Sequence, residues 1–126
     1  MPKKILDVPS APAPVGPYSV ATEANGFVFV SGQVGMDTAA GKLVEGGVEA
    51  ETHQIMKNLA AILDDLGLGY DDIVKTTIFL ADMGDFPVVN AAYGQYVEAA
   101  KPARSTVEVA ALPLGVQIEI EVIAAR

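Results

Sequence analysis

The chain of 126 residues contains no cysteine, which excludes disulfides, thiolate metal sites and cysteine nucleophiles. It has one histidine, His53. Without a second histidine or a thiol, a zinc site would have to be built from carboxylates alone, and none is expected. No motif supports a Ser-His-acid triad, and the glycines form no phosphate-binding or dinucleotide pattern. Lysine and arginine together number 8 against 16 acids, giving a formal net charge of -8. The basic residues are scattered, so no cluster can replace the counterions of a nucleic-acid backbone, and no nucleic-acid partner is expected. No apolar run approaches the ~20 residues of a membrane helix. The opening residues, Met-Pro-Lys-Lys-Ile-Leu-Asp, lack the long apolar stretch of a signal peptide, so a cytoplasmic protein without a membrane partner is expected.

Hydrophobic residues make up 51% of the chain and charged residues 19%, which fits one globular domain over residues 1–126. Residues 9–17, Pro-Ser-Ala-Pro-Ala-Pro-Val-Gly-Pro, predict an extended arm. Gly26 to Gly32 reads as a strand ended by glycine, and Gly35 to Gly47 carries turn chemistry. Ile55, Leu59, Ile62 and Leu66 recur at i, i+4, i+7 and i+11, which predicts a helix from about Val48 to Leu66. Glu49 and Glu51 suit its N-terminal dipole and Gly67 its C-terminal cap. A strand over Ile73–Ala81 precedes a second helix from Phe86 to about Ala100, with Asp85 as N-cap and Pro87 in the first turn. Strands beginning at Arg104 and Val116 follow. The order predicts an α+β sandwich with two helices over one face of a sheet.

Alternation along the strands indicates what covers the other face. Val116, Ile118, Ile120 and Val122 share one face and Gln117, Glu119 and Glu121 the other. Arg104, Thr106 and Glu108 oppose Val107 and Val109. In the Ile73 strand, Val74, Ile78 and Leu80 on one side and Ile73 and Phe79 on the other make both faces apolar. Two helices cover only one of them, so the second is expected to be buried by another copy of the chain, with Arg104 and Glu119 on that face in an intersubunit pocket.

Arginine is the scarce residue that points to function. Only Arg104 and Arg126 occur. A guanidinium fork matches a carboxylate bidentately and stays charged, so Arg104 is a candidate anion clamp, a salt bridge to Glu108 or Glu121 being the structural alternative. Glu119 is the candidate acid that orients or deprotonates a water or protonates a departing amine; its alternative is a salt bridge to Arg104 or Lys75. Asn90 interrupts the apolar helical stripe Phe86, Tyr93, Val97 and is expected to be a buried amide supporting the site. Tyr18 can offer a phenol from the arm, and Ser31-Gly32 a bare strand end. His53 lies opposite the Ile55 stripe and is expected to be solvent-exposed.

The ordered stretches Gly16-Pro17-Tyr18-Ser19, Ser31-Gly32-Gln33, Asn58-Leu59 with Gly67-Leu68, Asp72-Ile73-Val74-Lys75-Thr76-Thr77, Asn90-Ala91-Ala92-Tyr93, Pro102-Ala103-Arg104-Ser105 and Ile118-Glu119-Ile120-Glu121 resemble the Rid family, the reactive intermediate deaminases of RidA type. The resemblance spans nearly the whole chain. It implies a chorismate-mutase-like α+β fold with a mixed sheet, and a homotrimer whose sheets form a central barrel with clefts between subunits. It implies hydrolysis of 2-imino acids such as 2-iminopropanoate, in equilibrium with the enamine 2-aminoacrylate, to 2-keto acids and ammonia, with no metal or organic cofactor. By the same resemblance Arg104 binds the carboxylate, Glu119 positions water, and Tyr18, Ser31, Gly32 and Asn90 form or support the pocket. Thr106 stands where well-known members carry cysteine, and its backbone amide can serve instead. The competing readings are a keto-acid-binding module without deaminase activity, a deaminase or hydrolase for a pathway-specific aminoacrylate-like substrate, and a ribonuclease or translation inhibitor, the last disfavoured by the negative charge.

Overall fold

A computed structural model describes residues 2–126. The strands are β1 (Lys4–Leu6), β2 (Ala21–Ala24), β3 (Phe27–Gln33), a small hairpin β4 (Met36–Asp37) and β5 (Lys42–Leu43), β6 (Ile73–Leu80), β7 (Ala103–Glu108) and β8 (Ile118–Ala125). Helix α1 (Gly47–Asp65) precedes β6, and α2 (Phe86–Val97) joins β6 to β7. The main sheet has the order β1-β2-β3-β8-β6-β7. Only β6 and β7 run parallel, because α2 carries the chain back across the sheet between them. The fold is therefore α+β with a mixed sheet and two helices packed on one face.

The helical stripe reads as expected. Ile55, Leu59 and Ile62 are buried on α1, with Met56 and Leu63 beside them. They pack into one core with Ile78, Leu80, Ile118, Ile120 and Val122 from the sheet. Gly67, at φ 75°, ends the helix as its Leu68 N–H reaches back to the Leu63 carbonyl. Glu51 does not serve the helix dipole. It is buried, and its carboxylate accepts the Gln117 N–H at 3.0 Å, tying α1 to the approach of β8. α2 ends at Val97, earlier than expected, and the chain turns through Lys101, whose N–H meets the Val97 carbonyl. Asp85 occupies the N-cap position of α2 without a side-chain bond; Asp82 instead accepts the Gly84 N–H in the preceding turn.

Two facings differ from the alternation read in the sequence. In β6, Ile73 is buried and Val74 exposed. The pairing with β8 jumps from Ile73–Ala124 to Lys75–Ile123, so Val74 is an extra residue that inverts the alternation at the strand's start. In β7, Arg104 lies opposite Thr76 and Thr106 opposite Ile78. Thr76 and Ile78 point into the core, so Arg104 and Thr106 face the helices and not the open face. The relative alternation within β7 holds. Its absolute direction follows from pairing with β6, and an edge strand with little buried surface does not declare that pairing.

The outer face of the sheet is open and apolar. Phe29 pairs with Ile123, and Phe79 with Val107. Phe27 and Phe29 are each 44% exposed and Val107 41%.

Candidate active site in two halves

Arg104 is held from three sides by α2. Its Nη1 donates to Asn90 Oδ1 at 2.6 Å. The guanidinium carbon lies 5.2 Å from the centre of the Phe86 ring and 5.4 Å from that of Tyr93. Both rings offer their faces to the cation. The Tyr93 hydroxyl is hydrogen-bonded to Thr76 at 2.8 Å, a buried bond that fixes the ring. Burial pushes the Tyr93 phenol above its ordinary pKa, against the opposing effects of the Thr76 bond and the Arg104 charge. Among the described residues no carboxylate forms an ion pair with Arg104. The guanidinium is thus pre-oriented by neutral groups and keeps donors for a ligand. Asn90 is exposed, contrary to the expected buried amide: the buried stripe of α2 runs through Val89, Tyr93 and Val97, and Asn90 sits at its border, where it meets Arg104.

Asn90, Tyr93 and Arg104 line a cleft of about 580 Å³ together with Glu98 and Lys101. Thr106 follows Arg104 on the same face of β7, but its Oγ1 is buried without a hydrogen-bond partner.

Glu119 belongs to a different cleft. It lies opposite Phe79 on β6, on the outer face, two strands from β7 and roughly 10 Å away across the sheet. A cleft of about 790 Å³ gathers Glu119 with Tyr18, Ser31, Gly32, Asn58 and Leu114. In the β3–β8 ladder Val30 pairs with Val122 and Gln33 with Ile120, so Ser31 and Gly32 bulge out opposite Glu121. The bulge and the missing side chain of Gly32 make room for Glu119: a Cβ there would collide with its carboxylate. Burial, with the neighbouring Glu121 charge second, pushes the Glu119 carboxyl above its usual pKa.

The N-terminal arm forms the cleft's other wall. Ser31 Oγ donates to the Ser19 carbonyl at 2.6 Å and its N–H to the Val20 carbonyl, so the serine hydroxyl anchors the arm. The arm is further tied by Ser10 N–H to Asp65 at 2.7 Å. It leaves Tyr18 at the cleft, 53% exposed.

The single chain thus assembles Arg104 with Asn90, and separately Tyr18, Ser31 and Gly32 with Glu119. It does not join the two groups. His53 lines neither cleft; it is partly buried, with Nδ1 2.6 Å from the Tyr96 hydroxyl and Nε2 3.9 Å from Glu49. No group of three or more His, Asp or Glu among the described residues is placed to hold a metal. Phe86 and Tyr93 as a platform for Arg104, and Glu51 as an anchor for Gln117, were not singled out by the sequence. The spacing of Phe86, Asn90 and Tyr93 on one helical face was visible, but what they face was not.

Residues 8–126 match the endoribonuclease L-PSP family. The chain is 46% identical over 124 residues to the mouse 2-iminobutanoate/2-iminopropanoate deaminase, covering 98% of this chain and 92% of that protein. The crystal structure of YyfA from Yersinia pestis, described as a member of the conserved Rid protein family, superposes with a TM-score of 0.94 at 44% identity over 99% of this chain and 100% of that one. TdcF from E. coli, solved with bound serine, superposes with a TM-score of 0.89 at 36% identity over 98% of each chain. The family match over residues 8–126 and the 46% identity to the mouse protein across nearly the whole of both chains show that the chain belongs to the Rid (endoribonuclease L-PSP) family.

Proposed function

We propose that this protein is a hydrolytic deaminase of 2-imino acids, forming 2-keto acids and ammonia in clefts between subunits of a homotrimer. The observation that carries the reading is Arg104: an internal arginine held by Asn90 and two aromatic rings, with no carboxylate paired to it among the described residues. Such a group is ready for the carboxylate of a small anionic substrate. The mouse relative's name supplies the substrate class, and the serine in the E. coli relative is a ligand of amino-acid size.

The chemistry asks little of the protein beyond orientation. Arg104 holds the substrate carboxylate, with the backbone amide of Thr106 available on an edge strand whose alternate amides lack a neighbour. The protonated imine carbon is electrophilic. Glu119 orients a water and takes a proton from it as the oxygen adds to that carbon. The nitrogen of the tetrahedral carbinolamine then receives the proton that Glu119 carries, ammonia leaves, and the carbinol hydroxyl passes its proton through Glu119 to the departing ammonia as the C=O bond forms. The sum is N-protonated 2-iminopropanoate plus water giving pyruvate plus ammonium. Burial that raises the carboxyl pKa brings its two protonation states closer in energy near neutrality, which suits a group that accepts and returns one proton.

Because Arg104 and Glu119 sit in separate clefts, the reaction needs a second copy to bring an arginine half against a glutamate half. The open apolar face of the sheet supplies the surface for that association. A ribonuclease role would need a cationic track, and the net charge of -8 opposes it. The test is to generate 2-aminoacrylate from serine with a dehydratase and follow pyruvate against its spontaneous appearance. Acceleration that disappears in Arg104→Ala, with the oligomer intact, is expected. A well-folded protein that gave no acceleration would turn the reading to a keto-acid-binding module.

A further inference from the structure

The cleft that holds Arg104 contains a second cation. Lys101 lines the same cavity of about 580 Å³. Among the described residues the ion pairs are His53–Glu49 and Arg126–Glu23, so Lys101 is not committed to any carboxylate. Glu98 shares the wall one turn earlier but does not come within ion-pair distance. The remaining lysines, at positions 3, 4, 42, 57 and 75, lie outside this cavity.

The backbone at Lys101 is also unusual. Its φ is 45°, in the left-handed region, where a residue with a side chain costs about 1–2 kcal/mol. Its N–H closes the end of α2 on the Val97 carbonyl at 2.8 Å. Glycine is the common residue in such a position. A lysine there is disfavoured by the backbone, and, being exposed, it is not held there by burial in the core. Pro102 follows and directs the chain into β7. Three residues of chain hold the Lys101 and Arg104 Cα atoms within roughly 10 Å of each other. Their long side chains can then converge on one ligand.

We infer that Lys101 is a specificity-determining residue that tunes this pocket toward dicarboxylic 2-imino acids, those whose hydrolysis gives four- and five-carbon 2-keto diacids. The inference rests on the deaminase reading above. Arg104 takes the carboxylate beside the imine carbon, and the Lys101 ammonium takes the distal one. The bond changes are those of the simpler substrate: water adds at the imine carbon, ammonia leaves, and the distal carboxylate is untouched. A monocarboxylic imine leaves the Lys101 ammonium without a partner.

Lys101→Gly tests this without endangering the fold, because it relieves the left-handed backbone while removing the amine; its Tm is expected to rise. Lys101→Arg keeps the charge. 2-Iminosuccinate or 2-iminoglutarate, generated in place by a flavin-dependent amino-acid oxidase, is compared with 2-iminobutanoate. In parallel, calorimetry measures binding of 2-oxoglutarate and 2-oxobutanoate to the intact oligomer. The unmodified protein is expected to favour the diacid in both measurements. In Lys101→Gly the ratio of diacid to monoacid kcat/KM falls about ten-fold, the ratio of affinities falls alongside, and Lys101→Arg restores both. A protein that prefers the monoacid, or a Lys101→Gly variant that weakens both ligands equally, overturns the inference. If no imine is hydrolysed but 2-oxoglutarate binds with the same dependence on Lys101, the deaminase reading fails and the diacid assignment stands.

Discussion

Individual side chains here are placed by what their neighbours lack. Gly32 has no Cβ, and Glu119 occupies the space that one would fill. Gly32→Ala is therefore expected to displace the Glu119 carboxylate and lower kcat by about ten-fold or more, while the fold survives because the clash falls on the end of a flexible side chain. Circular dichroism and imine turnover on the same sample check both halves of that statement. Thr106 presents the converse, a buried hydroxyl with no partner. Thr106→Val removes an unsatisfied polar group at nearly constant shape and is expected to raise stability by about 1 kcal/mol, seen as a higher Tm. A fall in turnover at that higher Tm would place the hydroxyl on the ligand. At Glu119 the sign of the pH effect follows from its causes, burial first and the Glu121 charge second. Glu121→Gln removes the second, so Glu119 ionises at lower pH. On the proposed mechanism, the acid limb of the kcat/KM profile, where the Glu119 carboxylate would be lost to protonation, should move to lower pH.

Secondary-structure elements determine which of these residues meet. The strength of the helical stripe on α1 made its span and buried face legible, because a period of 3.6 over nineteen residues has few alternatives. The alternation in β8 was equally clear, with Ile118, Ile120 and Val122 buried as read. The strands around it were less so. One extra residue at Val74 reverses the facing at the start of β6, and no composition signal marks the bulge. In β7 the sequence shows that Arg104 and Thr106 share a face but not that this face looks toward α2. The candidate site residues stood out in the sequence by the chemistry of their side chains, whereas their grouping into two clefts required the strand pairing. Glu51 belongs to the same scale. Its carboxylate reaches across 66 positions of sequence to the Gln117 amide, two residues before Glu119. Glu51→Ala is expected to cost about 1–3 kcal/mol by leaving that amide unpaired, and to reduce kcat by loosening the start of β8. Glu51→Gln, which still offers an oxygen, should recover most of both; urea denaturation with turnover on each variant separates the effects.

The whole molecule is incomplete in the same place chemically and physically. The sheet leaves Phe27, Phe29, Phe79, Val107 and Ile123 on a face that no helix covers, and the two halves of the site do not meet within one chain. The proposed homotrimer would resolve both by burying that face and docking one copy's Arg104 cleft against the next copy's Glu119 cleft. Phe29→Asp should weaken the assembly, and sedimentation should then show smaller species with activity lost in proportion. The stricter test mixes two inactive proteins. Arg104→Ala retains its glutamate half, and Glu119→Gln retains its arginine half. If each site takes its arginine from one chain and its glutamate from the next, random association of equal amounts makes a complete site at about one quarter of the interfaces. Co-refolding the two variants should therefore restore about a quarter of the unmodified turnover, although neither is active alone. If both residues served from one chain, every site in the mixture would carry a lesion and the activity would stay at that of the separate variants.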